Sequence, residues 1–355
     1  AGAVAAWAWQ VFAAAVGRVT RWSCASQRRR SNAMTSDVEG LVEAARSHDA
    51  RALGKLLSMV EDDDPALPAL MSALLQPGVQ PPYVIGLTGA PGVGKSTTTS
   101  ALISLWRERE QRVGVLAVDP SSPFTGGALL GDRVRMQTHA TDNDVFIRSM
   151  ASRGQLGGMA SSTPQAVRVL EATGFDVVLV ETVGVGQAEV DIAATADTTV
   201  VLLAPGMGDG IQAAKAGLLE VADLLVVNKC DRDGADAAVR ELHTMIATGG
   251  ERGPGEWRPV VVRATATAAD GIDELVEAID KHRAWLGSSG EGERRRVRRA
   301  AQEIRSIAVA MLSARVGLRA DDPRLASLAA SVAAGEFDAY AAAGRLIASE
   351  RPPFG

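Results

Sequence analysis

Between Tyr83 and Thr267 the chain alternates short aliphatic runs with longer stretches of mixed polarity. The runs are YVIGLTG, RVGVLAVD, DVFIRS, FDVVLVET, TTVVLLAPG, DLLVVNK and PVVVRAT. Most are separated by enough residues for a helix, as at Ser96–Glu110 and Ile211–Val221. Strands alternating with helices predict βαβ units and a mostly parallel sheet. Several runs show no alternation of polar and apolar positions, as expected when helices cover both faces of the sheet.

Either side of this region the period changes. From Asp37 to Val60 the apolar positions Leu41, Ala45, Leu53, Leu56, Leu57 and Val60 keep helical spacing, and QPGVQPP marks a linker before the main domain. Beyond Gly287, Val297, Ala300, Ala301, Ile304, Ala308, Met311 and Leu312 line one helical face with arginines opposite. That stripe is either core or a self-association seam, and the arginines read as a solvated face. The expected organisation is a segment 1–33 outside the fold, an N-terminal helical extension over 34–80, an α/β domain over 81–287 and a C-terminal helical extension over 288–355.

Composition narrows the class. Hydrophobic residues make up 46% of the chain but aromatics only 4%, which suits helices layered on a Val/Leu-rich sheet. A net charge of −5 gives no electrostatic footprint for nucleic acid, so no nucleic-acid partner is expected. Two cysteines, Cys24 and Cys230, do not make a disulfide scaffold or a zinc site, and the four histidines lack ligand spacing. Residues 1–33 are free of acids and carry several arginines, as a transit-type presequence would, while SNA before Met34 resembles a cloning remnant. The expected location is the cytoplasm, or the mitochondrial matrix if that segment is a genuine presequence, with no membrane association.

The chemistry concentrates at the ends of the aliphatic runs. GAPGVGKS, that is Gly89, Ala90, Pro91, Gly92, Val93, Gly94, Lys95 and Ser96, follows one run directly and opens a helical segment at Thr97. This is G-x-x-x-x-G-K-[ST] in the context the pattern requires, a phosphate cradle at a helix N-terminus. Lys95 would reach the β- and γ-phosphates and Ser96 would ligate Mg²⁺. Asn228, Lys229 and Asp231 form N-K-x-D at the end of the sixth run. Asp231 can accept from guanine N1–H and the 2-amino group, donors that adenine lacks, so GTP and GDP are the expected nucleotides. Asn228 would brace the neighbouring loop, Lys229 would lie along the base, and Ala264, Thr265 and Ala266 would supply a last base-contacting loop. Cys230 fills the free position as a small residue.

FDVVLVET ends on a charge. Glu181 is either a structural ion-pair member or a carboxylate held for Mg²⁺ or the attacking water. It opens Glu181-Thr182-Val183-Gly184, a D-x-x-G arrangement with Glu for Asp, whose Gly184 amide would sense the γ-phosphate. Asp119, at the end of the second run, and Asp132, on the Gly-rich stretch after it, are further candidates for the Mg²⁺ shell. A turn or cap role for Asp119, and an ion pair with Arg133 or Arg135 for Asp132, are the alternatives.

GAPGVGKST, VDPSSPFTGGALLGDRVRM, VETVGVGQAEVD, PGMGDGIQAAKAG and NKCD, in this order, closely resemble the MeaB/ArgK-type GTPases of the SIMIBI class, from about residue 37 to the C-terminus. The resemblance implies a P-loop NTPase fold with helical extensions at both ends, a homodimer, and Mg²⁺-dependent hydrolysis of GTP with Lys95, Glu181 and Asp119 as the catalytic group. It also implies a client, an adenosylcobalamin-dependent acyl-CoA mutase, chiefly methylmalonyl-CoA mutase, whose loading by the adenosyltransferase is gated and which is protected from inactivation. Asp209, Gln212 and Lys215 match the family's additional switch. The departures are Cys230, where alanine is commoner, and the N-terminus. Rival readings are a metal-insertion GTPase of the same class and a transport-linked ATPase or kinase.

Overall fold

The computed structural model describes residues 36–355 except 77, 79, 121–138, 140, 153–161, 183–187, 207–220, 249–252, 254, 316–321 and 349–355. It divides into two compact units, one ending at Glu291 and the other running over Gly292–Gly355.

In the first unit, each of the seven aliphatic runs is a strand: β1 (Tyr83–Thr88), β2 (Val113–Pro120), β3 (Val145–Ser152), β4 (Val177–Thr182), β5 (Thr198–Leu203), β6 (Leu224–Val227) and β7 (Val260–Arg263). They form one sheet in the order β3-β2-β4-β1-β5-β6-β7, every pair parallel. Parallel neighbours need crossovers, so β1, first in the chain, lies between β4 and β5.

The two sides of the sheet bury different partners. On one side Val84, Leu116, Val118, Val178 and Val180 pack with Leu53, Leu56, Leu57 and Leu70 of the N-terminal helices and with Val169, Leu170 and Ile192. These come from α2 (Ala50–Glu61), α3 (Leu67–Ala73), α5 (Ser162–Ala172) and α6 (Ala188–Thr195), and α1 (36–46) joins the same cluster through Val38, Val42 and Ala45. On the other side Ile85, Leu87, Val115 and Leu179 pack with Leu102, Ile103 and Trp106 of α4 (Lys95–Glu108) and with Leu275, Val276 and Ile279 of the helix Ile272–Ser289. The N-terminal helical extension thus covers this face of the sheet. Leu56, Leu57 and Leu70 are fully buried, each stabilising the fold by about 1.5–3 kcal/mol. Arg148 of β3 adds a polar tie, bonding Glu61 and, at 2.9 Å, Ser58 of α2.

The amino ends of the strands share a device. An aspartate immediately before a run accepts an amide from the neighbouring strand: Asp176 Oδ2 from Arg112 N at 2.8 Å, Asp197 Oδ2 from Val84 N at 2.9 Å, and Asp223 Oδ2 from Thr199 N at 2.9 Å. Each satisfies a backbone donor where the ladder begins and so pins the register.

The helix Ile272–Ser289 ends at Gly290, whose φ is +70°. The second unit holds the helix Glu291–Arg315 and the mutually packed helices Pro323–Ala333 and Ala339–Ala348. Val297, Ile304, Met311 and Leu312 are more than half exposed among the described residues.

Candidate nucleotide site

The loop from Gly89 to Gly94 leaves β1 and enters α4 at Lys95. Glycine is required at both ends of it. Gly89 has φ +141° and a Cβ there would collide with Leu202 O, while Gly94 has φ +100° and a Cβ would collide with Asn228 Nδ2. Val93 turns inward and is fully buried with Leu102, anchoring the loop from below. Lys95 is nearly buried, and its Nζ donates to Gly89 O at 2.8 Å and Ala90 O at 3.1 Å. The lysine thus lies folded against the loop it would serve, its ammonium held by carbonyls that a phosphate can replace. The N–H groups of the first turn of α4 and the helix dipole favour an anion at this point.

Glu181 closes the foot of the cradle. In register it lies opposite Leu87 of β1 and Ala117 of β2, with strands on both sides. The residue is 2% exposed; Oε1 accepts from Ser96 Oγ at 2.7 Å and Oε2 from Thr99 Oγ1 at 2.9 Å. The structure thus brings Ser96 and Glu181 together, hydroxyl to carboxylate. Thr182 Oγ1 donates to Thr88 Oγ1 at 3.1 Å, joining the carboxyl ends of β4 and β1. Ser96 Oγ and the Glu181 carboxylate are hard oxygen donors beside a phosphate-type loop, which fits Mg²⁺, an ion that takes few protein ligands and keeps waters. Among the described residues no cluster of three His, Cys, Asp or Glu could hold a metal.

The N-K-x-D segment meets the cradle from the far side. Asn228 is buried; its Nδ2 donates to Val93 O at 2.8 Å and its Oδ1 accepts from Ala266 N at 3.0 Å. One side chain therefore ties the phosphate loop, the end of β6 and the loop after β7. Lys229 adopts φ +62°, a left-handed conformation that costs a non-glycine residue about 1–2 kcal/mol, and its Nζ donates to Gly92 O at 2.6 Å. Cys230 N donates to Ala264 O at 3.0 Å, and Cys230 Sγ, half-buried, donates to Val227 O at 3.1 Å. Thr265 pairs with Asp270 across the last loop, and Asp231 stands exposed at its edge.

Asp119 belongs to β2, its backbone paired with Ala151 and two residues beyond Ala117, the register partner of Glu181. Asp132, Gly184, Asp209, Gln212 and Lys215 lie outside the described residues. His139 and Asp142, which follow the stretch bearing Asp132, are anchored to α4: His139 Nε2 lies 3.1 Å from Ser100 Oγ, and Asp142 accepts from Arg107 Nε at 2.9 Å. The Arg107 hydrogen bond holds the Asp142 carboxyl below its ordinary value. Sequence reasoning passed over Thr99; its signal was a third consecutive threonine near the start of a helix, where β-branched residues carry no propensity advantage.

The profile of the family described as methylmalonyl Co-A mutase-associated GTPase MeaB matches residues 53–321. The chain belongs to that family. A MeaB-family chain with this sheet and this cradle is a P-loop GTPase, a GTP hydrolase. A Pyrococcus abyssi protein whose name places it among GTPases is 43% identical over 311 residues, covering 87% of this chain and 96% of its own. The mouse methylmalonic aciduria type A homolog, mitochondrial, is 40% identical over 211 residues, 59% of this chain and 51% of its own length. Among solved structures, one described as LAO/AO transport system kinase superposes with a TM-score of 0.64 at 26% identity, covering 88% of this MeaB-family chain and 96% of that one.

Proposed function

We propose that this GTPase is a nucleotide-gated chaperone of an adenosylcobalamin-dependent acyl-CoA mutase, chiefly methylmalonyl-CoA mutase, whose cofactor loading by the adenosyltransferase it gates and whose active form it protects. The family description and the mouse relative support the client. The observation that carries the nucleotide reading is the Asn228 bridge, since guanine contact at Asp231 and phosphate contact at Lys95 are then coupled through one buried amide.

In this reading GTP enters a cradle formed by Gly89–Thr97, displacing the Lys95 ammonium from the carbonyls of Gly89 and Ala90 onto the phosphates. Bound Mg²⁺ would supply charge neutralisation to the phosphates. Ser96 would hold it directly, with Asp119, Asp132 and Glu181 ordering its shell, and Glu181 would orient the attacking water. The water's oxygen bonds to the γ-phosphorus as its proton passes to a γ-phosphate oxygen, the bond to the β-γ bridging oxygen breaks, and GDP and phosphate leave. Catalysis is chiefly electrostatic positioning. Gly184 senses the γ-phosphate, and Asp209, Gln212 and Lys215 relay nucleotide state to the client. The exposed stripe of Val297, Ile304, Met311 and Leu312 is the surface through which two copies associate.

The test is steady-state GTP hydrolysis by the full chain with and without purified methylmalonyl-CoA mutase, with ATP as control and Asp231→Asn assayed on GTP and XTP. GTP-specific turnover that rises with the mutase, and a shift of preference toward XTP by about 100-fold or more, are expected. Turnover of GTP that the mutase leaves unchanged would remove the client, and ATP turnover would remove the base assignment.

A further inference from the structure

We infer that Thr99 is a positioning residue for the hydrolytic centre, fixing the plane of the Glu181 carboxylate through a hydrogen bond to its second oxygen. This rests on the reading of Glu181 given above and adds a residue to it.

A glutamate at the end of β4 has one torsion more than an aspartate would, and its terminal torsion is broad rather than staggered. Hydrogen bonds to both of its oxygens oppose rotation of the carboxylate about its last carbon–carbon bond. The bond to Oε2 is the one that Thr99 supplies. Ser96 and Thr99 are three residues apart on α4, hence on one helical face, and they donate to different oxygens of the same carboxylate at 2.7 Å and 2.9 Å. The backbone of Glu181 is held in turn by β1 and β2 on either side. With both ends fixed, the plane of the carboxylate keeps one direction.

The adjacent residue shows that this is a choice. Thr98, also fully buried, donates its hydroxyl back to Gly94 O at 3.0 Å, the local bond available to a threonine in a helix. Thr99, equally buried, donates across to β4. A valine there would fill the same space, so the hydroxyl is what the position contributes beyond packing.

The experiment compares Thr99→Val, Thr99→Ser and Glu181→Gln in the full chain. Three quantities are read: kcat and KM for GTP, the affinity for a fluorescent GDP analogue with EDTA or with rising Mg²⁺, and the unfolding temperature of the nucleotide-free protein. Thr99→Val is expected to lower kcat about tenfold, equivalent to about 1.4 kcal/mol, with KM within twofold, and to raise the Mg²⁺ concentration at which the GDP analogue tightens. Thr99→Ser restores both. In the Glu181→Gln background Thr99→Val adds no further loss, because its effect passes through that carboxylate. Parental kcat and Mg²⁺ dependence in Thr99→Val, equal losses in the Val and Ser variants, or additive losses in the double variant would each overturn the inference. A Glu181→Gln protein hydrolysing GTP at the parental rate would instead remove the reading on which it rests.

Discussion

The two ends of the sheet handle buried polar groups in opposite ways. At the amino end, Thr198 Oγ1 bonds Tyr83 OH and lies 2.6 Å from His282 Nδ1, while His282 Nε2 lies 3.3 Å from Asp223 Oδ1. Asp223 takes the amide of Thr199, and its carbonyl accepts from Trp257 Nε1 at 2.8 Å. Trp285 stacks on His282 with ring centroids 5.5 Å apart. Every partner in this cluster is a side chain or strand end fixed by the fold. At the carboxyl end, Lys95, Lys229 and Asn228 all donate to carbonyls of the one loop that would wrap a phosphate. The first arrangement holds strands together; in the second Asn228 braces the loop, while the two lysines rest on carbonyls that a ligand can replace.

Removing a donor from each end separates the two. Lys95→Ala should produce the largest effect, a fall in GTP turnover of about 100- to 1000-fold, with the unfolding temperature of the nucleotide-free protein little changed. Single-turnover hydrolysis alongside thermal unfolding checks both halves. A Lys95→Ala protein that loses stability but keeps its rate would reverse the roles assigned to the two ends.

The same contrast explains what the sequence discloses. The seven runs, the cradle and N-K-x-D are contiguous strings whose period or spacing carries the chemistry, and each is found where the pattern places it. The order β3-β2-β4-β1-β5-β6-β7 depends on crossovers that no local string encodes. Likewise, nothing in LVEAARSHDARALGKLL names the β2 and β4 valines that the N-terminal extension covers. The amino-end cluster gathers Tyr83, Thr198, Asp223 and His282 from four separate segments, so it was illegible. The aspartates at 176, 197 and 223 were not: an acid directly before an aliphatic run is a local signal, and it marks where a neighbouring strand begins.

His282→Leu should have a smaller effect, confined to stability. The ring is fully buried, and its loss leaves the Thr198 hydroxyl and the Asp223 carboxylate short of a polar neighbour. A cost of about 1–3 kcal/mol is expected in urea unfolding, with kcat for GTP unchanged at temperatures where the variant is folded. A fall in kcat without a fall in stability would show that the two ends communicate.

Tyr83→Phe should have the smallest effect at neutral pH and the most distinctive pH dependence. Burial is the main cause that pushes the Tyr83 phenol well above its usual value, because the phenolate would lose its hydration beside Asp197 and Asp223; the bond to Thr198 pulls the other way. A folded-state pKa above the unfolded one means that the native state keeps a proton which the unfolded chain releases. The stability that follows is complete below about pH 10 and is lost as pH rises toward the folded value. The parent should therefore lose stability steeply above about pH 10 as the unfolded chain ionises. In Tyr83→Phe that part of the loss should vanish, leaving a neutral-pH deficit of about 1 kcal/mol for the missing hydroxyl bond. Urea unfolding of the two proteins at stepped alkaline pH reads the difference. In a Tyr340→Phe background the phenolate absorbance reports Tyr83 alone, since the chain has only two tyrosines. Ionisation of that phenol in the still-folded protein near pH 10 would show that the amino end admits water and is not the closed cluster that its hydrogen bonds describe.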